Sequence, residues 1–91
     1  MSLDPTLAMQ IVRLTRDMVM KKEGGLGSRF ALYHEYARRV ARYILEGKAS
    51  RISRLKNYYK ALGLREEILD ELAEQIKDVM ASAPSEEEEI V

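Results

Sequence analysis

Glycine-containing breaks divide the chain into four segments, and in each segment the apolar residues recur at helical spacing. The breaks lie at Gly24-Gly25-Leu26-Gly27, at Gly47 and at Gly63. Apolar residues three and four positions apart form one face of an α-helix, and no alternation of period two continues for more than a few residues. The chain is therefore predicted to be all-α, a compact helical bundle with short connections.

Residues that favour helix ends set the bounds of the predicted helices. Asp4 is a good N-cap, and Pro5 fits the first helical position because its missing N–H has no partner there. Ser28 and Ser50 are the expected N-caps of the second and third helices. The pattern predicts three long helices and one short one that crosses an end of the bundle. The predicted helices cover residues 5–23, 29–46, 51–62 and 65–82.

The length and composition are those of one small globular domain. The chain has 91 residues, of which 46% are apolar and 33% charged, so a single domain with a modest core is expected. We assign residues 1–82 to the helical bundle. Residues 83–91 contain Glu86-Glu87-Glu88-Glu89 after Pro84 and are predicted to form a flexible, disordered acidic tail.

Several classes of protein are disfavoured by what the sequence lacks. It has no cysteine, and therefore no disulfide, no thiol nucleophile and no cysteine-based zinc site. No apolar run approaches the roughly 20 residues of a membrane-spanning helix, and the N-terminus lacks a signal-peptide pattern. We expect a cytoplasmic location and no membrane partner. Few Asn and Gln residues with many Arg and Glu residues fit a thermophile.

The inventory of residues for catalysis is thin. His34 is the only histidine, and it lies at the edge of an apolar stripe with no metal-ligand motif around it. The many carboxylates of the fourth predicted helix lie on its polar face, where water keeps their pKa values ordinary. The expectation is a non-enzymatic protein with no catalytic residue, no metal and no cofactor.

Charge is distributed unevenly along the chain, although its net value is zero. Residues 23–64 carry nine basic and three acidic residues, whereas residues 65–91 carry two basic and ten acidic residues. Lys and Arg bind phosphates, and tyrosine stacks on bases, so the basic middle predicts binding of DNA, RNA or an acidic partner. The candidate residues are Arg38, Arg39, Arg42, Lys48, Arg51, Arg54, Lys56, Lys60, Tyr36 and Tyr43.

Two other interpretations of the same residues stay open. The arginines can be a solvated helix face, or they can pair with the acidic fourth helix. The chain can also be an oligomeric protein-interaction or scaffold module without nucleic-acid contact, because apolar groups are expected on outer faces. Tyr33, Tyr58 and Tyr59 lie on predicted core stripes. The expected outer apolar groups, which favour a protein partner or a homo-oligomer, are Met9, Met20, Leu32, Tyr36 and Tyr43.

Overall fold

The computed structural model describes residues 3–82, and these residues form four α-helices and no β-strand. Three helices have 19, 16 and 17 residues and one has 10, so the predicted all-α bundle of three long helices and one short helix is confirmed. No described helix is long and apolar enough to cross a membrane. The predicted acidic tail lies outside the described residues. The helices are α1 (Pro5–Glu23), α2 (Phe30–Leu45), α3 (Ile52–Ala61) and α4 (Glu66–Ser82), with a 3₁₀ turn at Ala49–Arg51 before α3.

The start of α1 follows the sequence prediction. The Asp4 carboxylate accepts hydrogen bonds from the backbone N–H groups of Thr6 at 3.0 Å and Leu7 at 3.3 Å. Pro5 occupies the first turn, where a backbone N–H would have no partner within the helix. An acidic N-cap also suits the positive end of the helix dipole. This end of α1 is therefore determined locally.

The predicted serine caps of α2 and α3 are wrong. Arg29 and Arg51 stand at the N-cap positions, and neither helix start has a side-chain cap hydrogen bond. Each helix begins one residue later than Ser28 or Ser50 requires, so the serine hydroxyl cannot reach the amides of the first turn. The start of α3 thus keeps backbone donors that no side chain satisfies.

A tight turn at Gly63 joins α3 to α4. Gly63 has a φ of 100°, in the left-handed region that glycine adopts without a side-chain clash. Its N–H donates to the carbonyl of Lys60 at 2.9 Å, and the next N–H donates to that of Tyr59 at 3.2 Å. Leu64 is buried directly after the turn. The first turn of α4 is therefore held next to the end of α3.

The core lies between α1, α2 and α4, and α3 packs against α2 and α4. Tyr33 and Tyr59 are fully buried, as their stripes predict. The Tyr33 hydroxyl accepts a hydrogen bond from the backbone N–H of Arg65 at 2.9 Å, which ties α2 to the start of α4. Buried aromatic residues of this kind contribute large apolar areas to a small core.

Two tyrosines are exchanged relative to the prediction. Tyr58 is 56% exposed instead of lying in the core, whereas Tyr36 is fully buried instead of lying on an outer face. The rings of Tyr36 and Tyr59 meet edge to face with centroids 5.5 Å apart. Neighbouring residues of a helix point about 100° apart. Because Tyr59 faces the core, Tyr58 turns to solvent, and the packing of α3 over α2 covers Tyr36.

The other four apolar residues that were predicted on outer faces differ in exposure. Leu32 and Tyr43 are partly buried and pack against the core, so they do not form an outer apolar line. Met9 and Met20 are each 51% exposed, as predicted.

Candidate functional site

The predicted basic site is split by the fold, and its lysines pair with carboxylates. The Lys56 ammonium lies 3.0 Å from Asp70 and 3.2 Å from Glu66, both on α4. Lys60 lies 3.0 Å from Glu66. The Gly63 turn makes these contacts possible, because it brings the first turns of α4 beside the last turn of α3. Both lysines of the predicted site are thus paired with carboxylates of α4.

These contacts change the pKa values of the groups. Hydrogen bonds to Asp70 and then to Glu66 raise the pKa of Lys56. Hydrogen bonds from Lys60 and then from Lys56 lower the pKa of Glu66. Lys56 and Glu66 therefore stay charged over a wider pH range, and their opposite charges compensate each other. Lys48 has a looser pair, with its ammonium 3.5 Å from Glu46 near the end of α2.

The arginines behave differently from the lysines. All five arginines of the candidate set are exposed. Within residues 3–82, none of them forms a salt bridge with a carboxylate. A charge that no carboxylate compensates projects a stronger field toward an approaching anion. The five are Arg38, Arg39, Arg42, Arg51 and Arg54.

On α2, three arginines line a shallow depression of about 380 Å³ together with Ala31, His34 and Glu35. His34, Arg38 and Arg42 stand four residues apart, so they form one stripe along the helix. The rings of Phe30 and His34 are parallel within 5°, with centroids 5.9 Å apart, and they extend this stripe toward the start of α2. Arg39 lines the same depression. The stripe offers two cations and the half-buried His34 ring to one ligand, while Phe30 packs partly against the core.

The pKa of His34 reflects this environment. Partial burial and then the positive charge of Arg38 lower its pKa from the ordinary value of 6.5. His34 is therefore mostly neutral at pH 7, and it contributes a polar ring to the stripe and little positive charge.

A hydrogen bond between Tyr59 and Glu35 joins α2 and α3 near Arg39. The buried Tyr59 hydroxyl donates to the Glu35 carboxylate, and the charge of Arg39 also acts on Tyr59. Glu35 and Arg39 stand one turn apart on α2, a spacing that favours an ion pair. Tyr59 holds Glu35 instead, so Arg39 stands beside this contact without a salt bridge to a described carboxylate.

On α3, the remaining arginines lie away from the paired lysines. At about 100° per residue, Arg54 and Tyr58 share the flank of α3 opposite Lys56 and Lys60. Arg51 precedes them at the end of the 3₁₀ turn. The lysines face α4, so this arginine flank points away from their carboxylate partners. We call the exposed arginines of α2 and α3, with Tyr58, the arginine surface. Its members are Arg38, Arg39, Arg42, Arg51, Arg54 and Tyr58.

Neither of the two tyrosines predicted to contact a ligand, Tyr36 and Tyr43, belongs to the arginine surface. Tyr36 is a core residue, and Tyr43 is half-buried and packs against the core. Tyr58, which the sequence placed in the core, is the exposed aromatic residue of α3. The signal that could have found it is its spacing of four from Arg54 on the polar side of a short helix.

Between residues 3 and 82, no three His, Cys, Asp or Glu side chains converge as a metal site requires.

Comparison with known proteins adds no relative. No protein-family model matches the chain, and neither a curated protein nor a solved structure is significantly similar to it.

Proposed function

We propose that this chain is a non-enzymatic binding protein that contacts the phosphates of a nucleic acid through the arginine surface. The observation that carries the proposal is the difference between its lysines and its arginines. Carboxylates of α4 compensate Lys56 and Lys60, whereas the five arginines of α2 and α3 are exposed and form no salt bridge within residues 3–82. Arginine suits this role because its planar guanidinium binds phosphate oxygens in pairs.

The aromatic groups beside the arginines support a nucleic acid as the polyanion. The Phe30–His34 stack continues the stripe of Arg38 and Arg42, and Tyr58 shares a flank with Arg54. Flat rings next to cations stack on bases that are not paired, at about 1–3 kcal/mol per base. This arrangement favours a single-stranded nucleic acid over a duplex.

The test is the salt dependence of binding to single-stranded and duplex oligonucleotides. We expect the logarithm of affinity to fall linearly with the logarithm of salt concentration, by about 0.7 per phosphate contact for single strands and about 0.9 for duplex. The variant with Arg38→Glu, Arg42→Glu and Arg54→Glu should lose binding while keeping its helical content.

A matched control reverses three exposed basic residues of α1, namely Arg13, Arg16 and Lys21. It changes the net charge by the same amount on a helix outside the arginine surface. Binding should weaken far less than in the α2–α3 variant. Equal losses in both variants, or no binding of the natural chain at low salt, would contradict the proposal.

A second candidate function is a self-associating protein-interaction module. Leu45 is 42% exposed and lines an apolar groove with Leu7, Val79 and Met80. Exposed apolar groups that cluster in this way mark protein contacts. Sedimentation at several protein concentrations distinguishes the candidates, since a dimer that Leu45→Glu dissociates, without affinity for oligonucleotides, would favour this one.

A further inference from the structure

The end of α4 lies beside the arginine stripe of α2. Ser82, the last described residue, lines a groove together with Met80 and with Leu45 of α2. At about 100° per residue, Leu45 lies about 20° from Arg38 and about 60° from Arg42 around the axis of α2. The described chain therefore ends beside the same face of α2 that carries these two arginines, at the carboxyl end of that face.

The four glutamates of residues 86–89 are within reach of this face. At about 1.5 Å per residue along α2, Arg42 lies about 4.5 Å and Arg38 about 10.5 Å from Leu45. The glutamates occupy the fourth to the seventh positions after Ser82. An extended chain spans at most about 3.3–3.6 Å per residue, so these positions reach up to about 14 Å and about 25 Å from Ser82. The connection is therefore long enough to bring the carboxylates to both arginines.

The arginines on this face have no carboxylate partner in the described chain. Arg38 and Arg42 are exposed and form no salt bridge within residues 3–82. Glu35 lines the same depression, but its carboxylate accepts the hydrogen bond of Tyr59. Like charges one helical turn apart destabilise a helix. A carboxylate between the two guanidinium groups would relieve their repulsion.

Other exposed cations near the end of α4 are less suited to a run of carboxylates. Lys77 is a single charge on α4, and the exposed Glu74 stands one turn before it. Arg13 of α1 lies about 120° around the helix axis from Leu7, which lines the groove. The stripe of α2 offers two cations on the face that meets the groove, so it is the best acceptor of the glutamates.

We propose that glutamates 86–89 bind to Arg38 and Arg42 of the same chain and thereby compete with nucleic acid for the arginine surface. The short connection gives the carboxylates an effective concentration of about millimolar order. Exposed ion pairs are weak and screened by salt, so a nucleic acid with several phosphate contacts displaces the glutamates. The contact stands without the proposed nucleic-acid function, whereas its regulatory effect rests on that function.

A spin label tests the contact in the absence of nucleic acid. The chain has no cysteine, so Ile90→Cys provides a single attachment site beside the glutamates. At low salt, we expect the label to broaden the NMR signals of the Arg38 and Arg42 amides more than that of Arg13, which lies at a similar distance from the groove along α1. At about 1 M salt the difference should vanish, because the Debye length falls to about 3 Å.

The variant with Arg38→Gln and Arg42→Gln is the control for this experiment, and it should lose the excess broadening on α2. The broadening should not change on dilution, since the contact lies within one chain. Equal broadening of α1 and α2, or broadening that disappears on dilution because the glutamates reach a second copy, would overturn the proposal.

Two variants of equal charge test the regulatory effect. Glu87→Gln with Glu88→Gln removes two charges of the run. Glu74→Gln with Asp78→Asn removes two exposed charges of α4 that form no salt bridge within residues 3–82. At low salt, the first variant should bind a single-stranded oligonucleotide about two- to fivefold more tightly than the natural chain, as for the loss of one or two exposed ion pairs. The second should gain clearly less.

The outcomes separate this proposal from the nucleic-acid function. Equal gains in the two variants would overturn the competition and leave nucleic-acid binding in place. Absence of oligonucleotide binding in every variant would contradict the nucleic-acid function, and the spin-label result would still decide whether the glutamates contact α2.

Discussion

The hydroxyl of Tyr59 on α3 donates a hydrogen bond to the carboxylate of Glu35 on α2. Tyr59 is fully buried, whereas Glu35 is exposed. Burial and then this hydrogen bond raise the pKa of Tyr59, so the donor stays protonated at neutral pH. The contact therefore joins the short helix α3 to α2, one helical turn before the exposed Arg39.

Removing the acceptor should cost more than removing the donor. Glu35→Ala leaves a buried hydroxyl without a partner and should lower the free energy of unfolding by about 1–3 kcal/mol. Tyr59→Phe removes the hydroxyl and leaves a carboxylate that water can reach, so we expect a loss of about 0.5–1.5 kcal/mol. Urea denaturation of both variants and of the double variant measures their coupling. Strict additivity of the two losses would show that the contact contributes nothing.

Tyr36→Phe should not lower the free energy of unfolding, in contrast to Glu35→Ala and Tyr59→Phe. Its hydroxyl is buried and has no partner among the described residues, so its removal should leave the free energy of unfolding unchanged or raise it by up to about 1 kcal/mol. Urea denaturation is the measurement.

Tyr33→Phe is the control for that experiment. The Tyr33 hydroxyl accepts from the Arg65 N–H at 2.9 Å, so its removal should cost about 1 kcal/mol. If Tyr36→Phe destabilises the chain as much as Tyr33→Phe, the Tyr36 hydroxyl has a partner in solution.

The ring of His34 should report on its neighbour Arg38. An NMR titration should place the pKa of His34 below 6.5, and Arg38→Ala should raise it only partly, because burial is the larger cause of the shift. An oligonucleotide bound at Arg38 and Arg42 brings phosphates near the ring, which should raise the pKa further. Arg13→Ala, on α1, is the control that should leave the titration unchanged.

The lowered pKa of His34 determines how the stability of the fold depends on pH. Between the folded pKa and 6.5, the unfolded chain binds more protons at His34 than the folded chain does. The contribution of His34 to stability is therefore present above pH 6.5 and is lost as the pH falls through this window. A His34→Gln variant should show a flatter pH dependence of unfolding there, and an unchanged slope would contradict the assignment.

Single substitutions should separate the arginines from the lysines in nucleic-acid binding. Arg54→Ala should reduce the salt slope by about 0.7 for a single strand, because one phosphate contact is lost. Lys60→Ala should change it little, since Glu66 already lies 3.0 Å from this ammonium. Affinity measured over a salt series for the two variants is the test. Equal effects would mean that Glu66 does not compensate Lys60 when a polyanion is present.

Most of the fold was predictable because its determinants are local. Asp4 and Pro5 start α1, and the left-handed glycines end the helices where the sequence places them. The serine caps failed because one residue of displacement is enough to disconnect a hydroxyl from the first turn. A sequence pattern locates a helix more reliably than it locates its first residue.

The candidate site was only partly predictable, because its composition depends on contacts between distant residues. The pairing of Lys56 with Asp70 needs the Gly63 turn and the packing of α4 on α3. No periodic pattern in the sequence predicts that packing. Tyr36 and Tyr58 exchanged places for the same reason, since the direction in which α3 crosses α2 decides which ring is covered. The excess of basic residues was visible in the sequence, but its division into compensated lysines and exposed arginines was not.

The turn at Gly63 also gives the molecule an electrical polarity. It sets the carboxylates of α4 against the lysines of α3, while the remaining acids of α4 and the arginines of α2 stay on separate helices. For a nucleic acid that binds as proposed, we expect the acids of α4 to repel it and the arginines of α2 to attract it, which would orient the encounter before contact. We therefore expect its association to be fast and sensitive to salt.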